Sequence, residues 1–149
     1  MTFTTNRVMI DSSILVEYIK NTKTKLLIKL ISDVKTECFI NETVVSEYLY
    51  YFLALNGGRS PRATQSAEEI HLIFSGSSDY KIINRFELLS TSKTLFSLAP
   101  DYMSKYNLLP NDAIILATCK MHGITQLASH DKDFEVPCKA EGITLLRED

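Results

Sequence analysis

The chain has 149 residues, 45% hydrophobic and 23% charged, with a net charge of −2 at pH 7. These values describe an ordinary soluble globular protein, and the length predicts a single domain over residues 1–149 that buries roughly 70% of its unfolded surface. The slightly acidic balance is not the basic composition of a general nucleic-acid binder, although four carboxylates committed to a cation would leave the rest of the chain net positive. No apolar run approaches the ~20 residues of a membrane span, and Met1 to Arg7 lacks the basic start and apolar core of a signal peptide. The three cysteines, Cys38, Cys119 and Cys138, are widely spaced with no CxxC. That argues against a disulfide framework or a zinc site and predicts a reducing, cytoplasmic setting.

In chain order, Arg7 to Ile10 is an apolar run expected to form a first strand buried on both faces, as in a parallel sheet. It stops at Asp11. Ser12 or Ser13 is expected to cap a helix to about Lys20. Lys25 to about Val34 repeats apolar residues at helical spacing, and Glu37 to Ile40 predicts a second strand. Asn41 is the expected N-cap of a helix with Glu42 in its first turn, ending at Asn56-Gly57-Gly58. The stretch Gly57 to Ser66 predicts a flexible, basic connection bearing Arg59 and Arg62. Ala67 to Phe74 predicts a helix that Gly76 to Asp79 breaks. Lys81-Ile82-Ile83 is the expected third strand. Thr94 to Tyr106 predicts a helix that Pro100 splits or starts. Asn111 is the expected cap of a helix from Asp112 to Met121, ended by His122-Gly123. Thr125 to Ser129 and Ile143 to Leu146 are the expected fourth and fifth strands. Strands alternating with helices imply a parallel sheet covered by helices on both faces. Sites in such sheets lie beyond the carboxyl ends of the strands.

Several acids fall at those places. Asp11 follows strand one, and Glu47 lies among apolar neighbours on the helix after strand two, while Glu42 points elsewhere on that helix. Asp112 opens a late helix, and Asp131 follows strand four with Asp133 two residues on. Each has a plain structural explanation. Asp11 could cap its helix, Asp112 could pair with a helix dipole, and Asp131 and Asp133 could be turn residues. Glu47 would need a basic partner. Together they suggest another: clustered carboxylates repel, so they either take up protons or hold hard cations such as Mg²⁺ or Mn²⁺. Two such ions about 4 Å apart can clamp a phosphodiester for in-line attack by water.

Four segments carry a resemblance: "VMIDSSIL", "VVSEYLYYF", "LLPNDAIILATCKMHGI" and "ITQLASHDKDF". In this order they resemble the PIN-domain ribonucleases, and especially the VapC-type toxins of prokaryotic toxin–antitoxin pairs. The resemblance spans nearly the whole chain and is most specific in the last two segments. It implies a three-layer α/β/α domain with a central parallel sheet of four to five strands. It also implies Mg²⁺- or Mn²⁺-dependent hydrolysis of RNA phosphodiester bonds, with the family's acidic quartet on Asp11, Glu47, Asp112 and Asp131 and a more peripheral acid at Asp133. Ser13 and Ser129 stand at positions that orient ligands or substrate. Arg59 and Arg62 are candidate phosphate contacts, although a loop exposed to solvent would also carry them. His130 is a weaker candidate for a base, because a metal-bound water needs none nearby. His71 and His122 are expected to be ordinary helix residues, and Tyr48 to Phe52 to serve core or dimer packing rather than base stacking. A cognate antitoxin and a homodimer are the implied partners. Two other functions compete with the nuclease: a non-catalytic PIN-like scaffold, and a phosphoryl-accepting α/β domain with Asp11 as nucleophile.

Overall fold

A computed structural model describes residues 5–149. Five strands, β1 (Asn6–Ile10), β2 (Thr36–Asn41), β3 (Glu87–Leu89), β4 (Gln126–Ala128) and β5 (Thr144–Leu146), form one parallel sheet in the order β3-β2-β1-β4-β5. Helices flank this sheet in the expected α/β/α arrangement. β1 lies at its centre because Val8, Met9 and Ile10 are apolar on both faces and all three are buried. Met9 pairs with Phe39 on one side and Leu127 on the other. The chain runs outward from β1 through β2 to β3, then returns to β4 beside β1 and on to β5. The strand order therefore reverses between β1 and β4, and a crevice opens beyond their carboxyl ends.

Parallel neighbours need crossovers. α1 (Ser12–Ile19) and α2 (Lys25–Ser32) join β1 to β2. α3 (Glu42–Gly57), α4 (Pro61–Ser66) and α5 (Ile70–Gly76) lead toward β3; α6 (Leu95–Tyr106) and α7 (Pro110–Met121) precede β4, and α8 (Glu135–Glu141) precedes β5. Asn41 caps α3 as expected: its side chain accepts from the Val44 N–H at 2.9 Å, and its amide donates to Thr118 Oγ1 on α7. α3 ends at Gly58, whose φ of 66° is the left-handed conformation that glycine adopts without strain.

The structure corrects several expected elements. Lys81-Ile82-Ile83 is not a strand. It lies in a 3-10 segment, Asp79–Arg85, and the third strand is Glu87–Leu89, paired with Phe39–Asn41. An aromatic cluster decides this: Tyr80 packs on Phe52 and Phe74, and the Tyr48 hydroxyl donates to the Asp79 carbonyl. The Gly57 to Ser66 stretch is not an irregular flexible connection. Ser60 accepts from the Ala63 N–H and Pro61 takes the first helical position, so α4 forms there. α7 starts at Pro110 rather than being capped by Asn111, for the same reason. α1 begins at Ser12, so Asp11 takes the cap position expected for a serine. α2 stops at Ser32, leaving Val34 exposed, and α5 begins later than expected, at Ile70. Pro100 neither splits nor starts α6, which runs through it. The sequence pattern also passes over α8, because Pro137 sits within "EVPCKAE"; a proline in a helix's first turn displaces no intrahelical hydrogen bond.

Candidate active site

Asp11 stands where the sheet's order reverses. Its backbone N–H continues the ladder to the Ala128 carbonyl at 2.9 Å, which fixes it beside the end of β4. Although it occupies the cap position of α1, its side chain makes no capping hydrogen bond. Its carboxylate instead accepts from the hydroxyls of Ser13 and Ser129, each at 2.7 Å, and the residue is 3% exposed. The same serines hold the chain after β4, since Ser13 Oγ accepts from the His130 N–H and Ser129 Oγ from the Asp131 N–H, both at 3.0 Å. A helix cap would need none of this. The network ties β1, α1 and the β4 turn together around one buried carboxylate.

A cavity of about 260 Å³ opens here, lined by Asp11, Glu47, Asp112 and Asp131 together with Ser12, Ser13 and residues of α1 and α3. Glu47 reaches it from α3, and its Oε1 accepts from Ser12 Oγ at 3.2 Å. Asp112 comes from the first turn of α7, carried there by the Pro110 start. Asp131 accepts from the Asp133 N–H at 2.9 Å, and one carboxylate oxygen from each of Asp112, Asp131 and Asp133 lies within 4.8 Å of the others. Ligand oxygens on opposite sides of a Mg²⁺ ion are ~4.2 Å apart, and somewhat farther around a larger hard cation. The donor set and its spacing therefore fit such an ion.

The electrostatics agree. Burial raises the Asp11 pKa, against the opposing pull of hydrogen bonds from Ser129 and Ser13. Burial, and then the neighbouring Asp11, raise that of Glu47. Asp112 is pushed up to about 7 by burial and by the charges of Asp11, Asp131, Glu47 and Asp133. Without a cation, Asp112 is about half protonated at neutral pH; a divalent charge among these acids opposes the rise by favouring their ionised forms.

All four quartet positions thus meet at one cavity, with the exposed Asp133 beside Asp112 and Asp131 and Ser13 and Ser129 inside the hydrogen-bond network. Arg59 and Arg62 do not line it. Arg59 pairs with Glu69 across α4, and Arg62 is exposed on α4. His130 does not line it either. Both its ring nitrogens are buried without a hydrogen-bond partner among the described residues, and burial lowers its pKa. His122 ends α7, with Nε2 2.7 Å from the Ser90 carbonyl. Sequence reading missed Val16, Glu17, Lys20 and Tyr51, which also line the cavity. The signal was present: Tyr51 follows Glu47 by four residues, Glu17 follows Ser13 by four, and Val16 and Lys20 follow Ser12 by one and two such steps. That spacing keeps side chains on one helix face.

A PIN domain family model matches residues 8–140. This chain belongs to the PIN-domain family. It is 37% identical to Ribonuclease VapC6 of Methanocaldococcus jannaschii, an alignment covering 96% of this chain and 98% of that protein. It is 28% identical to Ribonuclease VapC2 of the same organism, over 87% and 88% of the two chains. In three dimensions it is similar to the crystal structure of VapBC2 from Rickettsia felis bound to a DNA fragment from their promoter. The TM-score is 0.62 at 14% identity, covering 96% of this chain and 99% of that one, a likeness of fold. The PIN-domain fold expected from the sequence is therefore the fold observed.

Proposed function

We propose that this chain is a divalent-metal-dependent endoribonuclease, the toxin of a toxin–antitoxin pair, acting on RNA in the cytoplasm. The observation that carries the reading is the gathering of Asp11, Glu47, Asp112 and Asp131 at one cavity, with oxygens of Asp112, Asp131 and Asp133 within 4.8 Å of one another. The names of the two curated relatives support the reaction class. In this proposal Asp112, Asp131 and Asp133 hold a Mg²⁺ or Mn²⁺ ion with Asp11 beside them. Such an ion, when bound, supplies activation of water and neutralisation of charge at the attacked phosphate. Ser13 and Ser129 keep the Asp11 carboxylate in one orientation through their two hydrogen bonds. Ser12 does the same for Glu47 through its hydroxyl.

An antitoxin is the proposed partner, consistent with the toxin–antitoxin complexes among the structural neighbours, and a homodimer the proposed assembly. No helix among the described residues is long and apolar enough to cross a membrane. The test is cleavage of RNA by the purified protein with Mg²⁺ or Mn²⁺, beside an EDTA control and the Asp11→Asn and Asp112→Asn variants. Cleavage that needs the metal and disappears in both folded variants supports the proposal. Cleavage that persists in EDTA or in both variants rejects it.

A further inference from the structure

α1 and α3 bring more than acids and serines to the cavity. Val16 and Glu17 of α1, and Lys20 at its C-terminal end, continue the wall beyond Ser12 and Ser13, and on α3 Tyr51 lies one turn past Glu47. Lys20 is the only basic residue lining the cavity among the described residues. Its ammonium is 3.9 Å from Glu17 Oε1, too far for a hydrogen bond, and its side chain is 45% exposed. The Glu17 carboxylate also accepts from the Thr22 hydroxyl. Lys20 can therefore turn toward another anion at little cost.

Tyr51 is 47% exposed, whereas Tyr48 and Phe52, its neighbours along α3, are fully buried. Tyr50 meets the Tyr51 ring edge-on, at 86° between planes, and no ring among the described residues stacks face to face on it. This aromatic surface at the mouth of an acidic cavity does not serve the core.

Resting on the ribonuclease reading, we infer that Lys20 and Tyr51 are substrate-binding residues. Lys20 contacts a backbone phosphate of single-stranded RNA, and Tyr51 stacks on a base next to the attacked phosphodiester. Even with one divalent ion bound, the carboxylates at the cavity outnumber its charge, so side chains on the walls add attraction for a polyanion that the acids do not supply. A lysine and an aromatic face are the two parts from which single-strand binding grooves are built. A base can lie on Tyr51 only when it is unstacked from its neighbours, which selects single strands over duplexes.

The test uses the full chain and a short fluorescent single-stranded RNA, with binding followed by anisotropy at several salt concentrations and cleavage measured in parallel. Tyr51→Ala is expected to weaken binding and raise KM about tenfold, within the range for loss of one stacked base, while Tyr51→Phe retains the wild-type values. Lys20→Gln is expected to lower the slope of log K against log salt by ~0.7, one phosphate contact on a single strand. Duplex RNA is expected to be indifferent to Tyr51→Ala. If the wild type cleaves RNA but both substitutions leave binding and KM unchanged, the inference falls and the ribonuclease reading stands. A Tyr51→Phe variant as weak as Tyr51→Ala overturns the stacking role. A wild type that binds RNA through these residues yet never cleaves it overturns the nuclease reading and keeps the groove. If the wild type does not bind RNA, or if the groove captures only a protein segment, the inference is overturned.

Discussion

Replacing Asp112 by asparagine separates the stability of this fold from its chemistry. In the metal-free protein the Asp112 carboxyl is pushed from 3.8 up to about 7 by burial and by four neighbouring acids. A carboxyl raised in the folded state binds protons that the unfolded chain has released. Its contribution is therefore fully present below pH 3.8 and is lost as pH rises to about 7. At pH 8 the ionised Asp112 is a liability with a ceiling of ~4 kcal/mol from the size of the rise. Because Asp112 is partly open to solvent, screening reduces that to roughly 1–2 kcal/mol. Asparagine keeps the shape and removes the charge, so Asp112→Asn in EDTA is expected to melt about 2–8 °C above the wild type at pH 8. The two should converge below pH 4. With Mn²⁺ the order should reverse, since the wild type gains binding energy that the variant has given up. Thermal melts of both proteins from pH 4 to 8, with and without metal, measure all of this. A variant that melts below the wild type in EDTA at pH 8 would refute the electrostatic argument, because it would mean that Asp112 is held by favourable contacts rather than crowded by like charges.

Three further outcomes are expected. Ser129→Ala removes one of two hydroxyls donating to the buried Asp11 carboxylate, so Mn²⁺ affinity measured by calorimetry should fall severalfold and stability by ~1–3 kcal/mol; unchanged affinity would show that the serine does not orient the acid. Phe52→Ala deletes a fully buried ring packed on Phe74 and Tyr80, and denaturant unfolding should record a loss of ~3–5 kcal/mol. A loss below ~1 kcal/mol would mean that this aromatic cluster does not anchor the 3-10 segment. Arg59→Ala breaks an exposed ion pair with Glu69 away from the cavity, so stability should change by less than ~1 kcal/mol and RNA cleavage rates should not move. A large loss of cleavage would restore Arg59 as a phosphate contact.

Much of the architecture was legible in the residues. Val8-Met9-Ile10 is apolar at every position, the pattern of a strand covered on both faces, and it lies at the centre of the sheet. Asn41 and Gly58 mark the ends of α3 through local chemistry, so no distant contact was needed to read them. The regions misread are those where local signals compete. Tyr80 to Ile83 has strand-like composition, but burial of Tyr80 against Phe52 and Phe74 holds it as a 3-10 segment. The Ser60-Pro61 helix start was hidden by surrounding glycine and arginine.

The sequence by itself determined which residues could bear the chemistry and in what order along the chain: four acids, each just beyond a strand or near the start of a helix. Only the tertiary structure decided that they converge. Their separation in sequence makes proximity a consequence of strand order, and β4 returning beside β1 is what brings Asp131 and Ser129 to Asp11. The same convergence creates the crowding that raises Asp112 to about 7. It also leaves Lys20 and Tyr51 on the cavity wall and Arg59 paired elsewhere. Helical spacing along one segment can predict which side chains share a face, but not which cavity that face meets.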